Sequence, residues 1–484
     1  MASDRKQPNI LLIMPDQMRG DCLGLDGHPA LLTPNLDEIG GQGAHFRRAY
    51  TTCASCIPAR RSLLTGQFPS TNGMVGFQGG CPIDSPTLPR LLREAGYHTA
   101  IAGRYMHQSP YEESYGYETR VLGSTYKGDD TYAAAIMGEA AGTGGVKGHG
   151  ISFHGWTAKP WHLPEHLHPT NWVSQRAREV LSEHQAGSPL FLTASFYAPH
   201  PPFIPPEFYM NRYLRVECRD AVIGNWAQPP EAPAPGVDAH RTVLEGEALR
   251  SAQAGYYGLI NHIDDQIYWL TREFKSASAR DGRPWIIIVT SDHGEMLGDH
   301  YYFRKCEPYE GSSRIPFLIQ GAEELEFQSG VRCDRPVCLE DLMPTLLDLL
   351  GTEAPECIDG RSLLPVLRAE TSGVRETLHA EHSPCYSRQQ AYHMLVGRRY
   401  KYVWRPIEGE EQLFDLQEDP EEIQNLAEED ACQQQLVRWR EALIEELEGR
   451  PEGFTDGERL IPGRPYEAVL GRREGNDKRS PSEG

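Results

Sequence analysis

The chain has 484 residues, 39% of them hydrophobic, enough to bury a large core and to form one big domain with a smaller companion. A net charge of −21 opposes any general attraction to nucleic acid, so an anionic ligand has to meet a local cluster of cations. No apolar run approaches the roughly 20 residues that span a bilayer, and eleven scattered cysteines without an Asn-x-Ser/Thr acceptor read as a largely reduced, cytoplasmic protein with neither nucleic-acid nor membrane partners.

Asn9 to Met14 is the first apolar run, and it reads as a buried strand ending in Pro15-Asp16-Gln17. From there to about residue 321, short apolar runs alternate with amphipathic segments, the signal of strands and crossover helices in a parallel α/β sheet. Strands are expected at 9–14, 98–102, 189–196, 285–290 and 315–319, and helices at 34–41, 87–95, 171–182, 248–275 and 338–350. Residues 110–170, Gly-rich and then His/Trp-rich, and the Pro-rich stretch from Pro201 to about Val243 read as long irregular insertions of the kind that line a site or move. After Gly351-Thr-Glu-Ala-Pro355, strand-like pieces at 376–382, 391–397, 399–405 and 411–416 precede a helix at 430–447. The expected division is therefore an α/β domain over 1–355, a smaller α+β subdomain over 356–471, and a polar, charged tail over 472–484 that reads as disordered.

The segment Cys53-Ala-Ser-Cys56-Ile-Pro-Ala-Arg60-Arg-Ser-Leu-Leu-Thr-Gly66 places a thiol where a strand-like piece gives way to a helix. Pro58 suits the first turn and Gly66 the end, so Cys56 stands where free helix N–H groups attract an anion. By its spacing alone, Cys53-x-x-Cys56 also fits a thiol redox or metal-binding pair, a reading that gives Pro58 and Arg60 no purpose. Asp16 and Gln17 follow the first strand at the carboxyl edge, where ligands collect in a parallel sheet. Trp285 to Ser291 is a second buried strand, and it delivers Asp292 and His293 to the same edge. Two carboxylates, an amide and one imidazole suit a hard divalent cation. His200 follows the strand at 189–196 and Arg104-Tyr-Met-His107 the strand at 98–102, while Lys305 lies in Phe303-Arg-Lys305-Cys-Glu-Pro-Tyr309-Glu310.

Cys-x-Pro-Ala-Arg followed by Leu-Thr-Gly resembles the signature of the type I sulfatases of the alkaline phosphatase superfamily, and supporting motifs recur in order from about Asn9 to Ala427. The resemblance implies an alkaline-phosphatase-like, mostly parallel central sheet flanked by helices, with a C-terminal antiparallel sheet and one helix. It implies that Cys56 is oxidised to formylglycine by a formylglycine-generating or anaerobic sulfatase-maturing enzyme. Asp16, Gln17, Asp292, His293 and the modified Cys56 would then surround calcium, Ca²⁺, with Mg²⁺ or Mn²⁺ as alternatives. Arg60, Arg104, His107, His200 and Lys305 would be the catalytic groups around the sulfuryl oxygens, although His107 stands one position later than the family histidine. The implied reaction is hydrolysis of a carbohydrate or aryl sulfate ester to an alcohol and inorganic sulfate. The hydrated aldehyde attacks sulfur, and its second hydroxyl then expels sulfate.

Asp-Gln and Asp-His replace the Asp-Asp and Asp-Asn pairs of many sulfatases. That combination also resembles the phosphonate monoester hydrolases, which keeps phosphonate monoester or phosphodiester hydrolysis as the alternative. Trp156, Trp161, His162, His166 and His168 have two readings, a surface for a sugar or a core beneath the insertion.

Overall fold

The computed structural model describes residues 6–105, 109–125, 129–185 and 187–471, so the expected tail at 472–484 and His107 lie outside the described residues. An eight-stranded sheet runs in the order Thr119–Leu122, His98–Gly103, Leu190–Pro199, Asn9–Asp16, Trp285–Thr290, Phe317–Gly321, Ala44–Phe46, Val331–Cys333. Neighbours pair in parallel except at Phe317–Gly321, which runs against both of its partners.

The central strand Asn9–Asp16 is buried at every position, as a parallel strand covered on both faces requires. Its side chains alternate between two layers. Leu11 and Ile13 pack with Ile260, Ile263 and Ile267 of the long helix Gly246–Asp281. Ile10, Leu12 and Met14 pack with Ala59 and Leu63 of helix Cys56–Thr65 and with Leu342 and Leu346 of helix Leu342–Leu349. The other expected helices form at Pro34–Gln42, Leu88–Glu94 and Pro169–Glu183.

Three expectations need correction. The strand placed at 315–319 begins at Phe317, because Pro316 has no N–H to give to a ladder. The insertions are not wholly irregular, since they contain the edge strand Thr119–Leu122 and the helices Thr131–Glu139 and Glu207–Tyr213. The strands Ala44–Phe46 and Val331–Cys333 were not foreseen, being only three residues long and lacking a readable period.

The C-terminal part is a four-stranded antiparallel meander, Thr377–His382, Tyr392–Gly397, Tyr400–Arg405 and Glu410–Asp415. One face packs under helix Gln433–Glu446, where Leu436, Trp439 and Leu443 meet Leu395, Tyr402, Trp404 and Leu413. The other face, through Leu378, Met394, Val403 and Phe414, meets Tyr50, Met296 and Tyr309 of the larger part. Buried ion pairs cross that junction, Lys401 Nζ standing 2.7 Å from Glu310 and Arg405 2.9 Å from Glu307, while Glu422 of the C-terminal part lies 2.7 Å from the same Lys401 Nζ. Leu443 is fully buried between the helix and this sheet. Leu443→Ala should therefore cost about 2–5 kcal/mol, read as a lower melting temperature, while turnover per folded molecule at 25 °C stays normal. An unchanged melting temperature would mean that the helix is not held through this core.

Candidate active site

Parallel strands that end at one edge bring together residues distant in sequence. Asp16 closes the first strand, Arg104 follows His98–Gly103, His200 follows Leu190–Pro199, and Asp292 and His293 follow Trp285–Thr290. Cys56 opens helix Cys56–Thr65 above that edge, and Gly66, at φ 67°, ends the helix by giving its N–H to the Ser62 carbonyl. Ser55 precedes the helix in extended geometry but makes no side-chain cap, because its hydroxyl lies 2.8 Å from His382 Nε2. His382 Nδ1 donates to the Ser383 carbonyl, so Nε2 accepts and Ser55 donates. The C-terminal sheet thereby holds the start of the helix that carries Cys56.

Cys56 Sγ lies 2.7 Å from Lys305 Nζ, 3.1 Å from His293 Nε2 and 3.8 Å from Asp16 Oδ1, and it is wholly buried. The ligating atoms of Asp16, Cys56, Asp292 and His293 all fall within 4.8 Å of one another. Arg60 clamps the two carboxylates, with Nη2 at 3.0 Å from Asp16 and Nε at 2.8 Å from Asp292. Its Nη1 donates to Ser195 Oγ at 2.9 Å. Arg104 reaches Asp16 at 3.0 Å and lies over the Tyr197 ring. Asp292 Oδ1 accepts the backbone N–H groups of Gln17 and His293, both at 3.0 Å. His200 gives its backbone N–H to the Asp16 carbonyl at 3.1 Å, and its Nδ1 donates to the Pro201 carbonyl at 2.7 Å.

The residues fit a divalent cation. His293 Nδ1 donates to the Gly294 carbonyl at 2.8 Å, which leaves the Nε2 lone pair aimed at the carboxylates. Burial lowers the His293 pKa to about 4, so the imidazole is neutral as ligation requires. Burial raises the Asp16 pKa, but Arg104, Arg60 and Lys305 outweigh it and hold the carboxyl well below the usual carboxylate range. Gln17 Oε1 is turned into the site, 3.4 Å from Lys305 Nζ. Burial, reinforced by Asp16, pushes the Cys56 thiol up to about 12 against the pull of Lys305. An unmodified thiol here is therefore protonated and a poor nucleophile at neutral pH. Burial disfavours charge on Lys305, yet Cys56 and Asp16 more than offset it, and the ammonium is retained.

The structure thus gathers Asp16, Gln17, Cys56, Arg60, Arg104, His200, Asp292, His293 and Lys305 at one edge. No disulfide joins Cys53 to Cys56. Trp161 and His168 are buried core of the insertion, Trp156 packs edge-on to Phe303, and exposed His166 pairs with Glu139. Four supporting residues escaped the sequence reading. Ser195 and Tyr197 support the two arginines, and His382 holds Ser55. Glu295 accepts from Gln17 Nε2, and its signal was a carboxylate three positions after Asp292 in Asp-His-Gly-Glu.

A sulfatase family model matches residues 8–352, and a model of the C-terminal region of N-sulphoglucosamine sulphohydrolase matches 298–449. An arylsulfatase of Clostridium perfringens (strain 13 / Type A) is 37% identical over 487 residues, covering 96% of this chain and 99% of its own. A multifunctional alkaline phosphatase superfamily protein of Trinickia caryophylli, PehA, is 30% identical, with 92% and 98% covered. The crystal structure of a phosphonate monoester hydrolase of Agrobacterium radiobacter superposes with a TM-score of 0.77 at 25% identity, over 91% of this chain and 95% of that one. With a family match across most of its length and a thiol, two carboxylates and an imidazole converging at the sheet edge, the chain belongs to the type I sulfatases of the alkaline phosphatase superfamily and is a sulfuric ester hydrolase.

Proposed function

We propose that Cys56 is converted to formylglycine, and that the site hydrolyses a carbohydrate or aryl sulfate ester with Ca²⁺ held by Asp16, Gln17, Asp292, His293 and residue 56. The observation that carries this reading is the position of Cys56 Sγ, enclosed by Lys305 Nζ, His293 Nε2 and Asp16 Oδ1 at the helix N-terminus. The sulfur marks where an oxygen stands after oxidation. The bound cation would supply positive charge that favours the ionised nucleophile, and the hydrated aldehyde a second hydroxyl from which sulfate is released.

The protein's own groups do the rest. Lys305 is charged and 2.7 Å from the sulfur position, so its ammonium can steady the nucleophilic oxygen and the sulfuryl group approaching it. Arg104 sets a second cation against Asp16. Arg60 spends its contacts on Asp16, Asp292 and Ser195, so it acts through the carboxylates it positions rather than on the ester. His200, anchored to the Asp16 backbone, is assigned to the leaving oxygen.

Gln17 and His293, together with the likeness to a phosphonate monoester hydrolase, favour phosphonate monoester or phosphodiester hydrolysis as the second reading. Comparing kcat/KM on aryl sulfate and aryl phosphonate esters of matched leaving group separates the two.

Three outcomes are expected. Protein made together with a formylglycine-generating enzyme should show the thiol of the Cys56 peptide replaced by a carbonyl in mass spectrometry, and that carbonyl should react with a hydrazide. Full activity with an intact thiol would sink the formylglycine route. Asp292→Ala should lose bound metal and most activity while a thermal melt shows it folded, whereas stoichiometric metal in this variant would remove Asp292 from the ligand set. Lys305→Ala should lower kcat by about 10²–10³ for every sulfate ester whatever its alcohol, since it acts on charge that grows in the transition state. A change confined to substrate preference would place Lys305 away from the reacting group.

A further inference from the structure

Glu295 has no part in the chemistry above, yet its carboxylate is wholly buried and stands directly behind one of the assigned metal ligands. We propose that Glu295 is a positioning residue, its carboxylate fixing the Gln17 amide so that Oε1 and not Nε2 faces the divalent ion. The inference rests on the ligand set assigned under the proposed function.

Gln17 is clamped on every side. Its N–H donates to Asp292 Oδ1 at 3.0 Å, its carbonyl accepts from Tyr256 Oη at 2.7 Å, and its Nε2 donates to Glu295 Oε2. Its φ of 70° lies in the left-handed region, which a glutamine holds only where its surroundings over-determine it. A free amide has two ends of nearly equal shape, one donor and one acceptor. Glu295 Oε2 accepts from Gln17 Nε2 while its Oε1 is taken up by two backbone N–H groups, so Glu295 selects the NH₂ end. Lys305 Nζ only donates, and it stands 3.4 Å from Oε1 on the opposite side. Both neighbours dictate the same orientation.

The other Glu295 oxygen accepts the backbone N–H groups of Leu297 at 2.8 Å and Arg304 at 2.5 Å. These two bonds close a tight loop in which Leu297, His300, Tyr301 and Arg304 all have positive φ. Lys305 follows directly on that loop. A single carboxylate thus ties the ligand amide to the segment that presents the lysine, and a turned amide would aim N–H groups at a cation.

The test is Ca²⁺ affinity of the full, matured chain, measured by competition with a chromophoric chelator. The wild type is compared with Glu295→Gln, Gln17→Glu and the double variant. Glu295→Gln keeps the shape and can still accept from Leu297 and Arg304, but it offers NH₂ to the Gln17 amide, which then has to turn. Affinity should fall by about 10–100-fold, the usual effect of losing a partner that orients a ligand. Gln17→Glu alone should also bind poorly, because it opposes two carboxylates. The double variant reverses the polarity of the bond without changing its shape, and should recover most of the affinity. Melting temperatures in excess chelator report folding separately. Wild-type affinity in Glu295→Gln, or a double variant no better than Glu295→Gln, overturns the inference. If Glu295→Gln fails to fold, a folded double variant of near-wild-type affinity supports it and an unfolded one overturns it. A wild-type chain that binds no divalent ion overturns the ligand assignment itself, and this inference with it.

Discussion

Two carboxylates that never meet water have to be neutralised by something equally fixed, and much of the molecule serves that requirement. Asp16 and Asp292 are both fully buried, and an isolated buried carboxylate would take up a proton. Arg60 forks between them, and it can do so because a helix start places it four residues after Cys56, facing the sheet edge. Arg104 and Lys305 add charge from two other segments. Three cations, Arg60, Arg104 and Lys305, converge on this edge, on a chain whose net charge is strongly negative. Attraction of an anionic ester is therefore a local property of the sheet edge.

The C-terminal sheet is part of the same arrangement. Its first strand ends in His382, which bonds Ser55 beneath the Cys56 helix. Gln390, just before its second strand, donates to the Lys305 carbonyl and to Glu307. Arg405 on the third strand meets Glu307 and the Tyr309 hydroxyl, and Lys401 meets Glu310. Breaking such a pair would strand a charge away from water, so the buried pairs set how the two parts dock. Both the helix that carries Cys56 and the loop that carries Lys305 are braced from this side.

What could be read from the chain beforehand follows from where each signal resides. The central strands are largely apolar runs, and their first charged residues, Asp16 and Asp292, fell where the strands ended. Strands of two or three residues such as Ala44–Phe46 have no period, and pairing with Phe317–Gly321 and Val331–Cys333 makes this one a strand. Arg60 was visible from its motif, but its direction was not, since facing carboxylates rather than substrate depends on tertiary placement. Glu295 stood in plain sight within Asp-His-Gly-Glu, yet nothing local says that it meets Gln17, 278 positions earlier. His382 belongs to a segment whose strand pattern was clear and whose contact with Ser55 was not.

The bond between Ser55 and His382 also sets an order of events in the life of the chain. Cys56 has no exposed surface once the fold is complete, so any enzyme that alters it must reach it earlier. The partner that closes over the helix start lies 327 residues downstream. At a synthesis rate of about 5–20 residues per second, that separation amounts to roughly 15–65 s between the emergence of the cysteine and the emergence of its lock. If Cys56 is converted as proposed, the distance along the polypeptide would serve as a timer, leaving residue 56 open until the last quarter of the chain arrives.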